Sequence, residues 1–335
     1  MRIETRFSSE YGLDTPIAQA GMAFVGSPPE LAVAVSNAGA LGSIAVGLLP
    51  PAALSGLVEG VRAGTSGPFH VNFLTPFTTP EHLDVVCAAA APAASFHWGH
   101  PPREWIDRLH AAGVRVLEQV GAVDAARRAV DDGVDVVVAQ GLEAGGHNFA
   151  TLPTFAFVPL VVDAVAPALV LAAGGIADGR GLAAALMLGA DGVWVGSRFV
   201  ATAESAAHPD YKARLVAAGG ADTERTAIFG PEWPDFNPMR VLRTKTVADW
   251  TDRLAEVPTD TSTLPVIGHT LLGDQPVDLH QFASFPPTHQ TTGDIDQMAL
   301  LAGQGVGLIT STPPAATVID DMTTQALTAL TAHRR

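Results

Sequence analysis

Short apolar segments alternate with amphipathic segments over the first 218 residues of the chain. The apolar segments are rich in Val, Ile and Phe, and each is followed by a turn of Gly, Pro, Asn or Ser and then by an Ala- and Leu-rich stretch. Several of these stretches carry proline in their first turn, and three end at a glycine before the next apolar segment (Gly39, Gly113 and Gly133), as helices often do. The pattern therefore predicts eight strand–helix units.

The predicted strands are nearly continuous apolar runs, such as VDVVVA, which is typical of a parallel sheet buried on both faces. We place the strands at about 16–20, 41–46, 69–73, 95–98, 114–120, 134–140, 169–173 and 193–195. The helices follow at about 28–38, 51–63, 80–90, 102–112, 123–132, 155–165, 179–188 and 208–218.

Eight such units within about 218 residues predict an α/β fold of the (β/α)8 TIM-barrel type. A doubly wound open sheet shows the same alternation, but it would place G-x-G-x-x-G after the first strand, where this chain reads PIAQAGMAFVG. Residues 219 to about 287 are rich in Pro, Thr and Asp with weak periodicity, which indicates a lid of loops and short helices, and residues 293–307 and 313–332 return to a helical pattern. We predict a barrel built from residues 1–218 and about 305–335, with returning helices in the latter, and a C-terminal lid or substrate subdomain at about 219–304.

Composition and charge narrow the classes of partner. The chain has 34 acidic and 19 basic residues, and the resulting formal charge of −15 disfavours nucleic acid and anionic membrane surfaces. One cysteine, Cys87, excludes an internal disulfide framework and a thiolate-rich metal site. No apolar run reaches the roughly 18 residues of a membrane span, and the first residues lack a signal-peptide core. We expect a cytoplasmic protein without nucleic-acid or membrane partners.

Glycines follow the last two predicted barrel strands. Gly174 and Gly175 end the seventh strand, and Gly196 and Ser197 end the eighth. Exposed backbone N–H groups in these loops, with the Ser197 hydroxyl, would converge on a dianion, and this is where barrels commonly bind phosphate. The alternative is that these glycines only make tight turns.

The loop after the sixth strand carries the strongest candidate for chemistry. Gln140 ends the strand, Gly145 and Gly146 keep the loop thin, and His147 stands at the tip. An imidazole with an ordinary pKa near 6.5 suits proton transfer at neutral pH. We predict that His147 is catalytic and lies on a flexible loop; a structural histidine is the alternative.

Other strand ends supply candidates for the pocket wall. Met22 can pack on a flat ring, although a buried methionine is often core, and Asn72 can offer a donor and an acceptor to a heterocycle. His97 and His100 reach the barrel mouth; we expect them to line the pocket and not to bind a metal, because no carboxylate cluster accompanies them. Arg240 can meet an acidic end of the substrate, or it can be a surface charge.

Several motifs, in this order, span roughly residues 16–310: PIAQAGM, HVNF, VAQGLEAGGH, AAGGIADGRGLAAALMLGADGVWVGSRF, HPDYK and LAGQGVGLI. Together they resemble the nitronate monooxygenase family (2-nitropropane dioxygenase-like), a group of FMN-dependent TIM-barrel enzymes that includes the flavin-dependent enoyl-acyl carrier protein reductases. The resemblance covers nearly the whole chain.

The resemblance implies that FMN lies across the barrel mouth, with its phosphate at Gly174–Gly175 and Gly196–Ser197. His147 matches the catalytic histidine of the family. The remaining residues implied to bind the cofactor are Gly21, Met22, Asn72, Gln140, Gly145, Gly146 and Gln304.

Two reactions are compatible with these motifs. In nitronate oxidation, electrons pass from the substrate to the flavin and then to O2, and His147 takes the α-proton of a neutral nitroalkane or holds an anionic nitronate. In the alternative, NAD(P)H reduces the flavin, which then delivers hydride to an enoyl β-carbon. We take the first as the leading hypothesis and expect a small-molecule substrate and O2 as partners, with a homodimer left open.

Overall fold

Eight parallel strands form the centre of the molecule. The computed structural model describes residues 2–273 and 275–332, and in it these strands follow one another at regular intervals along the chain. They are β1 (Ile17–Gln19), β2 (Gly42–Ala45), β3 (Phe69–Leu74), β4 (Ala93–His97), β5 (Arg115–Val120), β6 (Val136–Gln140) and, after the two-residue β7 (Gly146–His147) outside the barrel, β8 (Leu169–Ala173) and β9 (Gly192–Val195).

The sheet closes on itself. Parallel pairing runs in the order β1-β9-β8-β6-β5-β4-β3-β2. A parallel bridge between Ala18 and Leu41 joins β1 to β2, and the Gln19 N–H donates to the Leu41 carbonyl at 2.9 Å. Closure between the first and second strands gives a barrel, so the predicted (β/α)8 fold is confirmed.

Helices cover the outside of the barrel close to the predicted positions. The helices that follow the first seven barrel strands are α2 (Pro29–Asn37), α3 (Pro51–Gly64), α4 (Pro80–Ala88), α5 (Arg103–Ala111), α6 (Val123–Asp131), α7 (Thr154–Val165) and α8 (Gly179–Met187). The Asp178 carboxylate caps α8 by accepting the N–H groups of Arg180 and Gly181. The last helix, α12 (Ala315–Ala332), packs against α8 and α2 and completes the outer ring.

A short N-terminal helix, α1 (Arg6–Tyr11), closes the end of the barrel where the strands begin. Phe7 and Tyr11 are buried in one cluster with interior-facing strand residues such as Leu117 and Val138. The sequence pattern did not predict this helix, because six residues are too few to show an apolar period. Its two rings fill the barrel interior below the strand ends that carry the candidate site.

Residues 219–304, here called the cap segment, contain more strand than the sequence indicated. One antiparallel sheet joins β10 (Thr223–Thr226) and β11 (Met239–Leu242) to β7, and a second joins β12 (Val266–Leu272), β13 (Gln275–His280) and β14 (Thr292–Gly293). The loops and short helices that we expected are present, but the two antiparallel sheets were not predicted, because their strands are short and lack a long apolar run.

Helices of the cap segment and its flanks are short. They are α9 (Ser197–Val200), α10 (Pro209–Ala217) and α11 (Lys245–Trp250), with 3-10 helices at Gly220–Asp222, Pro234–Phe236, Thr251–Glu256, Ile295–Gln297 and Gln304–Leu308. Residues 1, 274 and 333–335 of the predicted subdomains lie outside the described residues. Among the described residues, no helix combines the length and apolar character needed to cross a membrane.

Candidate active site at the carboxyl ends of the barrel strands

A cavity of about 250 Å³ opens where the barrel strands end, between the barrel loops and the cap segment. Most residues predicted from the sequence line it. They are Gly21, Met22, Asn72, His97, Gln140, Gly145, Gly146, His147, Gly174, Gly175, Gly196 and Ser197. The structure therefore brings together residues from six strand-end loops that are far apart in the chain.

The loops after β8 and β9 form a cradle of backbone N–H groups. Gly174 and Gly175 both have positive φ, at 110° and 74°, which a residue with a side chain rarely adopts. Among the described residues, the N–H groups of Gly175 and Ser197 have no hydrogen-bond acceptor. The Ser197 hydroxyl accepts the Gly303 N–H at 2.9 Å, so its own proton remains to be donated. This donor set suits a phosphate and needs no basic side chain.

Asn72 is oriented by a chain of buried hydrogen bonds. Burial lowers the pKa of His70 to about 4, so its ring is neutral, and Nε2 must donate to the Gln19 carbonyl at 2.9 Å. His70 Nδ1 then accepts from the Ser95 hydroxyl, which in turn accepts the Asn72 amide N–H at 2.9 Å. The Asn72 side-chain oxygen is left as the acceptor for a ligand in the cavity.

Two glycines let backbone approach closely around the cavity. A Cβ on Gly21 would overlap the Asn72 side-chain amide, so only glycine fits beside that oriented residue. A Cβ on Gly145 would lie 2.5 Å from the Ala302 carbonyl carbon, where the β7 loop meets the chain that precedes the 3-10 turn at Gln304–Leu308. Met22 also lines this side of the cavity and packs partly on the core. These residues fit the close backbone approach that a flat cofactor requires.

The sequence suggested that His147 stands at the tip of a flexible loop, but in the structure it lies on the short strand β7. It pairs with Met239 of β11, and its Nδ1 lies 2.5 Å from the Phe236 carbonyl. Burial lowers the pKa of His147 to about 4, while the hydrogen bond to Phe236 acts in the opposite direction. Because a carbonyl only accepts, the proton of the neutral ring sits on Nδ1, and Nε2 keeps its lone pair.

Gln140 and His97 complete the polar lining near His147. Gln140 Nε2 donates to the His147 carbonyl at 3.0 Å, which leaves its oxygen as an acceptor. Burial, and then the neighbouring His147, lower the pKa of His97 to about 3. Since the lining holds no Asp, Glu, Lys or Arg among the described residues, the cavity carries no formal charge at neutral pH.

Four aromatic residues that the sequence reasoning missed form one wall of the cavity: Phe77, Trp98, Trp233 and Phe236. The Trp98 ring stacks on Phe236 with 4.4 Å between centroids and meets the His147 ring at 3.8 Å in a T-shape. The motifs HWGH and GPEWPDFNPMR contain Trp98 and Phe236, but nothing in their spacing predicts that they touch. We call these four residues the aromatic wall.

Three predicted residues do not line the cavity. Both ring nitrogens of His100 bind carboxylates, Glu118 at 2.8 Å and Asp132 at 2.9 Å. Arg240 is buried and donates to the Leu142 carbonyl at 3.0 Å, so it meets neither solvent nor the cavity. Gln304 points away, although its neighbours Gly303 and Gly305 do line the cavity.

The family model described as nitronate monooxygenase matches residues 5–82 and 77–325 of the chain. A probable nitronate monooxygenase of Bacillus subtilis (strain 168) is 33% identical, in an alignment that covers 91% of this chain and 94% of that protein. These matches extend over the barrel and the cap segment alike.

Two solved structures share the fold over almost their whole length. FabK from Thermotoga maritima superposes with a TM-score of 0.84 at 32% identity and covers 99% of both chains. A nitroalkane oxidase from Streptomyces ansochromogenes superposes with a TM-score of 0.79 at 28% identity, over 97% of this chain and 99% of that one. The resemblance predicted from the motifs is confirmed.

Proposed function

The chain belongs to the nitronate monooxygenase family and is an FMN-dependent oxidoreductase, and on that premise we propose that it oxidises a neutral nitroalkane, or the nitronate formed from it, at the expense of O2. We assign His147 as the base that removes the α-proton. The observation that carries this assignment is the free Nε2 of His147, because the Phe236 carbonyl holds the ring proton on Nδ1.

The cradle and the polar lining are the residues that would hold FMN. Gly175 and Ser197 would donate to its phosphate, while the oxygens of Asn72 and Gln140 would accept N–H groups of its ring. The chemistry that FMN supplies when bound is the acceptance of two electrons from the substrate carbon and their transfer to O2.

The lowered pKa of His147 favours a role as a neutral proton acceptor over a role as a cation that binds an anionic substrate. With its pKa lowered to about 4, the imidazole is neutral at pH 7 and can accept a proton, but it carries no positive charge with which to hold an anion. Proton removal would then create an imidazolium beside the newly formed nitronate, and the two opposite charges stabilise each other in the buried cavity. A neutral nitroalkane is therefore the better substrate, and a small carboxylated nitronate the poorer one.

An NAD(P)H-dependent enoyl reductase is the second candidate. The apolar aromatic wall favours it, since it suits an acyl group, and so does the structural likeness to FabK. A histidine with a pKa near 4 is a weak point of this candidate, because at pH 7 its Nε2 carries no proton to give to the product.

An anaerobic rapid-mixing experiment separates the two. The FMN-loaded enzyme is mixed with nitroethane, with NADH or with NADPH, and the visible absorption of the flavin is followed. We expect nitroethane to bleach the flavin and both nicotinamides to leave it oxidised. Bleaching by NADH or NADPH without any response to nitroethane would replace the proposal with the reductase.

A further inference from the structure

We propose that the substrate carries a flat, uncharged, apolar group next to its reacting carbon, and that this group lies against the aromatic wall, with Trp98 as the specificity-determining residue. The inference rests on the proposed function, because it names the substrate class of the same site.

The aromatic wall is built from both sides of the cavity. Phe77 and Trp98 come from barrel loops after β3 and β4, while Trp233 and Phe236 come from the cap segment. Phe77 lies 5.6 Å from Trp233 and 5.7 Å from Phe236 between ring centroids, so the four rings form one continuous apolar surface. Because Trp98 also touches the His147 ring, a group lying on this surface is adjacent to the proposed base.

The charge of the cavity sets the charge of the substrate. Its described lining contains no Lys or Arg, and both histidines are neutral at pH 7 because their pKa values are lowered. The buried Arg240 is turned to the Leu142 carbonyl and to Thr223. A carboxylate buried against the wall would lose its hydration without gaining a countercharge, which makes anionic groups unfavourable there.

The backbone at Trp98 is strained in a way that places its ring on the wall. Trp98 has a φ of 66° and Gly99 a φ of 120°, and a bulky residue with positive φ is uncommon and costly. Such strain persists where the surroundings hold it and is concentrated at functional positions. We infer that the loop keeps Trp98 in this unfavourable backbone conformation because that conformation places the indole ring on the aromatic wall.

Side chains on both sides of Trp98 hold this loop. The Thr75 hydroxyl lies 3.1 Å from the His97 carbonyl and 2.9 Å from the Gly99 carbonyl. On the other side, His100 is fixed by Glu118 and Asp132. Neither anchor contacts the cavity, so their joint effect is to position Trp98.

Three small probes test the substrate class on the FMN-loaded enzyme: 4-methylbenzamide (flat and neutral), 4-methylbenzoate (flat and anionic) and cyclohexanecarboxamide (neutral but not flat). Dissociation constants come from the perturbation of the flavin spectrum and from calorimetry. We expect the benzamide to bind at least about tenfold tighter than either of the others. Equal binding of the benzoate would overturn the inference.

Two variants and a matched control test the wall itself. Trp98→Ala should weaken benzamide binding about tenfold, and Trp233→Ala, at a residue that is 51% exposed and dispensable for the core, about threefold. Phe155→Ala, on a ring that is 72% exposed outside the cavity, should change nothing. If both tryptophan variants behave like Phe155→Ala while still retaining FMN, the wall does not bind the substrate.

Turnover with two nitroalkanes gives a second readout. Phenylnitromethane should be preferred to nitroethane in kcat/KM, and Trp98→Ala should reduce that preference. A failure of every nitroalkane to reduce the flavin would refute the proposed function, whereas the probe affinities would still report on the wall. The two failures are therefore distinguishable.

Discussion

His147 owes its protonation state to the groups around it. The Phe236 carbonyl fixes the proton on Nδ1, Trp98 packs against the ring, and burial lowers its pKa to about 4. Its Nε2 stays unprotonated over the whole neutral range, because the ring becomes protonated only in acidic solution, and the same low pKa makes it a weaker base than a free imidazole. The sequence-based choice of His147 rested on an ordinary pKa near 6.5, and the structure changes the expected pH range.

Replacing His147 with glutamine should lower turnover by about 10²- to 10⁴-fold, since general-base catalysis contributes on that order. The flavin content should stay unchanged, because the side chain that we assign to proton transfer is not part of the glycine cradle. Steady-state kcat with a nitroalkane and the visible spectrum of the purified protein measure both quantities. In the unaltered enzyme the proton-transfer rate should fall as pH drops through about 4.

The exposed His289 offers a matched control for this substitution. His289→Gln should leave both turnover and its pH profile unchanged. Nearly full activity of His147→Gln would remove His147 from the role of base.

Sequence motifs predicted some of the residues of the site but gave no indication of others. The glycines at 145, 146, 174 and 175 and His147 were visible because they interrupt apolar runs at strand ends. Trp98 was hidden because its role depends on a positive φ and on contact with Phe236, which lies far away in the sequence. His100 and Arg240 were misplaced because their partners, two carboxylates and a carbonyl, belong to other elements.

At the scale of elements, the cap segment fixes the position of the candidate base His147, which itself lies outside that segment on β7. β7 pairs with β11, and the loop before β11 supplies the carbonyl that binds His147. Asn237 keeps this loop folded, since its side-chain amide donates to the Gly230 carbonyl at 3.2 Å. The chemistry at the barrel mouth therefore depends on a turn that belongs to the cap.

Removing the Asn237 side chain should let water reach His147. Because burial is the main cause of the low pKa, Asn237→Ala should move the acidic limb of the kcat profile upward from about 4 toward 6.5 and lower kcat at neutral pH. The measurement is kcat against pH with a nitroalkane.

Asn37 provides a comparable amide away from the site, as its exposed side chain donates to the Gly64 carbonyl at 3.1 Å. Asn37→Ala should keep the original profile. An unshifted limb in Asn237→Ala would show that the loop does not control access of water to His147.

The barrel elements were predictable and those of the cap were less so. The apolar runs of β3, β6 and β8 are bounded by glycine or proline turns, and burial on both faces makes them conspicuous. The strands β10 and β11 are only four residues long; they pair with each other, and β11 also pairs with β7 in a distant loop. Their pairing, and not their own composition, makes them strands.

On the scale of the whole molecule, three buried imidazoles link stability to pH. Burial lowers the pKa of His70 and His147 to about 4 and, with His147 nearby, that of His97 to about 3. The unfolded chain binds protons at these groups near 6.5, so it takes up more protons than the folded protein between about 4 and 6.5. Glu118, whose pKa burial raises, acts in the opposite direction, but it is one group against three.

Each of the three histidines should lower the free energy of unfolding by about 2–3 kcal/mol between pH 7 and pH 4.5, with most of the loss below 6.5. The total fall should therefore be several kcal/mol, less the opposing contribution of Glu118. Urea unfolding at a series of pH values, followed by far-UV circular dichroism, measures it. His70→Gln should flatten this dependence and His289→Gln should not. A flat dependence in the unaltered protein would contradict the buried neutral histidines.

The position of α12 has a consequence for biosynthesis. Its apolar face, with Val318, Ile319 and Met322, closes the gap between α8 and α2, and its Thr323 hydroxyl lies 3.0 Å from that of Thr15 near the start of the chain. Translation delivers this helix last among the described elements, so a nascent chain can have every barrel strand outside the ribosome while an apolar seam is still open. We expect the last helix to set the moment at which the nascent protein stops being a chaperone client.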